Sequence, residues 1–355
     1  APNVAFLITV RFFLGIALGI AAYTTPLYLA EITPEKIRGA MISMYQLMIT
    51  IGLAAAFISD TILAPSGNWR LMLGIVAIPS FLMLLGMIKL PRSPRWLMLK
   101  KRGYEAKSVL TKIFYGNQID AALQKIETNI KPKHSVTKHL IWRRFWPVLA
   151  LGLGAQMLQQ WTGINVIMYY APTVFKAAGF ASSAQQMWCT VAVGIINVLS
   201  TIVAIKLVDN KGRKLLLYLG LSIMTIALLL TYAMLHLPHT NLTKYTSVAG
   251  ILLYIFGFAI SLGPVVWIIC AEIFPLQLRD LGIMLTIAAN WAYNSLLANS
   301  FPTLLKHFGI STLFLSFAVL SIIGIVFVRC FIPETKGANL EDIEANLMAG
   351  KQLRK

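Results

Sequence analysis

Apolar positions in this chain gather into runs of about 20 residues, instead of alternating or recurring on one helical face. Nine such runs can be read, over residues 4–27, 40–63, 70–90, 145–170, 187–208, 214–236, 246–270, 281–305 and 310–332. A helix apolar on all sides needs a hydrocarbon surrounding, so the pattern predicts an all-α polytopic membrane protein. The stretch 91–144 differs in kind, with 13 Lys or Arg against three acids, Glu105, Asp120 and Glu127. Within it, Glu105 to Tyr115 and Ala121 to Ile130 have the spacing of short amphipathic helices, although a solvated basic tether fits the same pattern. The expected organisation is a three-span bundle at 1–90, a basic linker at 91–144, a six-span bundle at 145–332 and a tail at 333–355.

Composition agrees: 57% of residues are apolar, 12% are charged and mean hydropathy is +0.72. A soluble domain carries about a quarter charged residues. The net charge of +18 does not signal nucleic acid, because the basic residues lie in loops between apolar runs and not on one folded surface. Counting spans, a cytoplasmic linker makes the loops at 31–39, 209–214 and 271–280 and the tail cytoplasmic too. These hold nearly all the remaining basic residues, so the positive-inside rule is met in one orientation only. Cys189, Cys270 and Cys330 lie far apart in apolar runs and read as small buried hydrophobes. No metal-ligand spacing, nucleophile and base pair or phosphate loop occurs, so neither an enzyme nor a cofactor is expected.

Polar residues inside the spans carry the functional signal. Gln159 to Tyr170, QQWTGINVIMYY, sets three amides in a segment with no charge after Arg144. Burying an amide in hydrocarbon without compensation costs about 2–7 kcal/mol, so these groups must meet other helices, a wet cavity or a ligand. At 100° per residue Asn165 falls well away from Gln159 and Gln160, and a helix break at Gly163 would reconcile them. Hydrogen bonding between helices and a solute site both fit this pattern. Arg11 is a charge within a span, costing about 2.5–3.5 kcal/mol even on the mild insertion scale.

Ala30-Glu31-Ile32-Thr33-Pro34 to Arg38 echoes Ala271-Glu272-Ile273-Phe274-Pro275 to Arg279 at an offset of 241, and Pro91-Arg92-Ser93 echoes Pro333-Glu334-Thr335 at 242. Two matches at nearly one offset indicate duplicated halves. The second half then has six spans and the first three, so nine of twelve helices are in view, and three spans with one basic turn are expected ahead of Ala1.

Taken together, Arg11 with Gly15 and Gly19, PxYxxExxPxxxRG at 26–39, Pro91-Arg92-Ser93-Pro94-Arg95-Trp96, QQxxGIN at 159–165, DxxGRK at 209–214, GPxxWxxxEIFPxxxR at 263–279 with Asn290-Trp291, and Pro333-Glu334-Thr335 are specific. The chain resembles the sugar porters of the major facilitator superfamily. That resemblance implies transport of a monosaccharide or related polyol through the lipid bilayer of the cell membrane by alternating access. It implies a solute site at Gln46, Gln159, Gln160, Asn165, Tyr169, Asn197, Trp267 and Asn290. Neutral amides suit hydroxyls because they donate and accept without an ionised group to desolvate. Gating ion pairs are implied at Glu31, Arg38, Arg213, Glu272, Arg279 and Glu334, with Arg92 standing where the family has Glu. Arg11 pairs with a first-helix acid in proton-coupled members, and proton symport and facilitated diffusion stay open. A shortened non-transporting relic and a membrane sugar sensor are the alternatives.

Overall fold

A computed structural model describes residues 3–34, 38–113, 119–120, 123–124, 126–127, 138–238, 240–274 and 278–334, apart from the side chains at 30, 38–40, 42–43, 138–144, 209–210 and 271. Among the described residues every regular element is a helix. The elements are α1 Val4–Ile32, α2 Arg38–Leu63, α3 Trp69–Gly74, α4 Ala77–Lys89, α5 Pro94–Leu99, α6 Gly103–Leu110, α7 Lys138–Trp161, α8 Ile164–Tyr169, α9 Ala171–Ala177, α10 Ser183–Lys211, α11 Arg213–Leu235, α12 Asn241–Ile260, α13 Leu262–Ile273 and α14 Arg279–Cys330.

Seven stretches of helix among the described residues are long and apolar enough to cross a membrane. The last of them, Arg279–Cys330, is 52 residues long and breaks at Gly309 (φ 76°, ψ 162°), so it contains two of the expected runs. The remaining expected run, 145–170, is not one helix: it ends at Trp161 and resumes at Ile164. That interruption falls at the QQWTGIN sequence. The expected run 246–270 is likewise interrupted, at Ser261 (φ −129°, ψ −94°), two residues before the Gly263-Pro264 pair.

The chain falls into two compact units, Ala1–Tyr45 with Ile62–Lys138, and Gln46–Thr61 with His139–Lys355. In the first unit α4 along its whole length, and α1 up to about Ile20, expose apolar side chains such as Phe12, Phe13, Leu82 and Ile88. Such surface is stable only against hydrocarbon or other apolar surface. Tyr28 near the end of α1 donates to the Pro91 carbonyl at 2.8 Å, and Ser93 donates a short hydrogen bond to Glu31. Behind them α5 and α6 form a small hairpin around Leu97, Ala106 and Val109. The sequence places one short helix from Glu105; the structure has two, earlier, because Ser93 and Pro94 supply an N-cap and a first-turn proline. Positions 119, 120, 123, 124, 126 and 127 are helical, while most of the expected Ala121 to Ile130 helix and the tail from 335 lie outside the described residues.

The second unit holds the main core, in which Phe145, Phe175, Leu217, Met224, Ile255 and Phe274 are buried. The second half of α2 belongs here because Gly194 on α10 lets the Ala54 backbone approach to within 3.0 Å of where a Cβ would stand. Between α11 and α12 the approach is closer still. A Cβ on Gly220 would overlap Ser261 and come 2.5 Å from the Gly257 carbonyl. Small residues of this kind replace hydrophobic driving force in membranes, since close backbone packing is what holds helices together there. Of the three cysteines, Cys270 is buried, but Cys330 is exposed at the end of α14, against the expectation of a buried hydrophobe.

Overpacking costs about 1–3 kcal/mol. Gly220→Val should therefore lower the unfolding temperature of the detergent-purified protein measurably, and an unchanged melt would show that α11 and α12 do not need this contact.

Candidate functional site

Two broken helices build the site, and hydrogen bonds from side chains join them at their breaks. Gly163 adopts φ 93°, a left-handed conformation that glycine alone reaches without strain. A side chain there would also strike the Phe317 ring at 2.6 Å. The break frees the Thr162 carbonyl, and the buried Tyr254 hydroxyl of α12 donates to it at 2.9 Å. In return, Gln159 of α7 sends its Nε2 to the carbonyls of Leu262 and Gly263 at 2.8 and 3.2 Å, just past the break at Ser261. An unsatisfied buried carbonyl costs about 1–3 kcal/mol, so the break at Gly163 leans on Tyr254, while Gln159 ties α7 to the first turn of α13.

From Gln159 a chain of amides runs across to α14. Asn290 Nδ2 donates to Gln159 Oε1 at 2.7 Å and to Gln156 Oε1 at 2.6 Å. Gln160 Nε2 donates to Asn290 Oδ1 at 3.1 Å, and Gln160 Oε1 accepts from Asn165 at 2.6 Å and from Asn294 at 3.2 Å. Asn294 also reaches the Tyr169 hydroxyl at 3.4 Å. Burial falls along this chain: Gln156 is fully buried, Gln160 nearly so, Asn165 half-buried and Tyr169 51% exposed. At the inner end every amide group is engaged. At the outer end Oδ1 of Asn165 and Oδ1 of Asn294 accept no hydrogen bond among the described residues, which leaves open acceptors beside a phenol. Such a rim can take hydroxyl donors without ionising anything.

A second polar cluster closes the other end of α11. Arg213 meets Glu272 at 3.1 Å with both side chains mostly buried. Glu334 accepts from the backbone N–H groups of Arg213 and Lys214 at 3.1 and 3.0 Å. It thus caps the positive end of α11, a geometry the helix dipole favours. A Cβ on Gly212, which sits at φ 89°, would stand only 2.9 Å from the Glu334 carboxylate.

The family model for "Sugar (and other) transporter" matches residues 1–347. The chain belongs to the sugar porter family of the major facilitator superfamily. Across its whole length it is 44% identical to the galactose-proton symporter of Escherichia coli K12, covering 77% of that protein, and 43% identical to the arabinose-proton symporter of the same strain, covering 76%. Among solved structures it is similar to the proton:xylose symporter XylE bound to 6-bromo-6-deoxy-D-glucose, with 32% identity and a TM-score of 0.80 over 93% of this chain and 72% of that one. The inward-open xylose transporter XylE from E. coli superimposes with a TM-score of 0.75 at 30% identity, over 93% of this chain and 71% of that one.

Of the residues the sugar-porter resemblance implies, Gln159, Gln160, Asn165, Asn290 and Tyr169 are brought together as described. Trp267 lies half-buried on α13, one turn beyond Gly263. Asn197 is buried on α10, where its carbonyl accepts from Thr201 and its side chain does not join the amide chain. Gln46 is half-buried on α2 and is also outside that chain. Among the gating residues, Arg213, Glu272 and Glu334 cluster, and Arg279 opens α14 half-buried. Glu31 is engaged by Ser93. The side chains of Arg38 and Asp209 lie outside the described residues. The Arg92 guanidinium sits over the Trp96 ring at 5.1 Å. Arg11 is exposed on α1.

Gln156 and Asn294 went unnoticed in the sequence, yet the signal was there. Gln156 and Gln160 are four apart, as are Asn290 and Asn294, so each pair shares one helical face. Tyr254 gave no such signal, since its partner is a carbonyl 92 positions away. Trp161 was also passed over; it stands edge-on to Tyr293 at 6.3 Å, and its buried indole N–H meets no acceptor among the described residues.

Tyr254→Phe keeps the ring and removes only the donor to Thr162. It should weaken sugar binding by about fivefold to a hundredfold, the roughly 1–3 kcal/mol of an orphaned carbonyl, while the protein still inserts and remains monodisperse. Equilibrium binding to the purified variant is the check, and wild-type affinity would separate the brace from the site.

Proposed function

We propose that this chain carries a monosaccharide or related polyol across the membrane by alternating access, with the amide rim of α7, α8 and α14 as the solute site. The observation that carries the reading is the gradient along the amides, from fully engaged groups in the core to open acceptors at Asn165 and Asn294 beside Tyr169. A network serving only to join helices would gain nothing from leaving acceptors open at one end. Gln159, Gln160 and Asn290 orient the rim, and Trp267 offers an apolar face on which a sugar ring can stack. The sugar-porter resemblance also assigns Gln46 and Asn197 to the solute surface, beyond the amide chain seen here. The Arg213, Glu272 and Glu334 cluster, the neighbouring Arg279 at the start of α14 and, in the first unit, Glu31 and Arg38 serve as gating residues at cytoplasmic helix ends.

The solute crosses unchanged, without a bound cofactor, and a proton is the coupling ion. Two similar proteins are named as proton symporters of galactose and arabinose, which supports coupling. Arg11, the sole charge in its span, is the residue through which a proton-binding partner would act. The basic linker and the C-terminal tail face the cytoplasm, on the asymmetry of Lys and Arg among the loops.

Uptake of labelled hexoses and pentoses into proteoliposomes tests this directly. Uptake should be saturable, accelerated by an inward proton gradient and abolished by a protonophore; binding without uptake would sink the carrier reading in favour of a sensor. Gln160→Ala, which removes the group that holds Asn165 and Asn294 in place, and Asn165→Ala, which removes an open acceptor, should each reduce binding by more than about tenfold, a loss of over 1.4 kcal/mol. Membrane insertion should be retained. Loss of insertion with intact binding would assign these amides to helix packing instead.

A further inference from the structure

We propose that the α5–α6 hairpin of the linker is a docking face for the anionic phospholipid surface next to the α4 span. From 89 to 113 the chain carries eight Lys or Arg and one acid, Glu105. Glu105 is taken up by Arg102, and Lys107 pairs with Asp120. That leaves Lys89, Arg92, Arg95, Lys100, Lys101 and Lys112, all exposed and without an acidic partner among the described residues. Interspersed with them are large side chains open to the surroundings: Trp96 is 39% exposed, Leu99 58% and Tyr104 90%. Cations mixed with aromatic and aliphatic side chains are the composition of an interfacial element, the rings settling among headgroups while the cations meet phosphate.

The hairpin's own apolar face is already used, with Leu97, Ala106 and Leu110 fully buried, so the exposed set is a second surface and not an unfilled core. Its shape is fixed. Arg102 and Lys101 donate to the Leu97 and Met98 carbonyls at 2.9 and 3.0 Å, closing α5 with Lys101 in the left-handed region at φ 60°. Glycine is the residue that takes this position without strain, and here a lysine takes it.

Reach also decides the partner. The α4 span ends at Lys89 and α5 begins at Pro94, a gap that extends at most about 17 Å. The Pro91 carbonyl in that gap is tied back to Tyr28. The headgroup layer is about 5–8 Å deep and the surface potential reaches about another 8–10 Å, so the hairpin stays inside the field of the leaflet. The proposal rests on the chain's membership of a membrane transporter family and not on which solute it moves.

Hydrogen exchange on the full chain in lipid nanodiscs tests the proposal. Amides of 95–112 should exchange about tenfold more slowly in discs of equal phosphatidylcholine and phosphatidylglycerol than in phosphatidylcholine alone. High salt, and the pair Arg95→Glu with Lys100→Glu, should each remove that difference, while exchange in α11 and α12 stays the same and shows the fold intact. Equal exchange in both lipids, or protection that survives charge reversal, would overturn the proposal. So would protection appearing in lipid-free detergent as protein concentration rises, which would make a second copy of this chain the occupant.

Discussion

The second unit depends on an exchange of hydrogen bonds between two interrupted helices. A membrane-spanning helix ordinarily satisfies its own backbone, and a break leaves carbonyls that lipid cannot serve. Here the carbonyl freed at Thr162 is met by Tyr254, and Gln159 from just before that break donates to the Leu262 and Gly263 carbonyls in the first turn of α13. The two interruptions are thus tied to each other through side chains on both helices.

The amide site is a consequence of that exchange. With one end of Gln159 committed to the α13 backbone, its oxygen is held toward Asn290, which in turn fixes Gln160. The break at Gly163 brings Asn165 round to Gln160 although a regular helix would hold it on a different face. Neutral amides suit this position because a core of low dielectric penalises ionised groups far more than groups that can be paired by hydrogen bonds. The network stiffens toward α13 and loosens toward Tyr169, so rigidity and openness are supplied by one set of side chains.

The two polar ends related by the internal repeat have diverged in chemistry. Glu334 spends its carboxylate on the backbone at the start of α11, whereas Arg92, its counterpart in the repeat, stacks on Trp96. Glu272 meets Arg213, while its counterpart Glu31 is held by Ser93.

What the sequence determined by itself was the class of solvent and the kind of chemistry. Runs of apolar residues on every face dictate helices in hydrocarbon, the Lys and Arg of 91–144 dictate a separate aqueous segment, and the amides of QQWTGIN announce a polar interior because hydrocarbon would penalise them otherwise. Gln156, Gln160, Asn290 and Asn294 were legible as helical-face pairs, since their spacing is local. Tertiary structure alone decided the wiring. That Tyr254 serves Thr162, that Gln159 serves Leu262, that the run 246–270 breaks at Ser261, and that Asn197 and Gln46 stand apart from the amide chain all depend on groups far apart in sequence meeting in space. Periodicity says which face a residue occupies; only packing says which carbonyl lies opposite it.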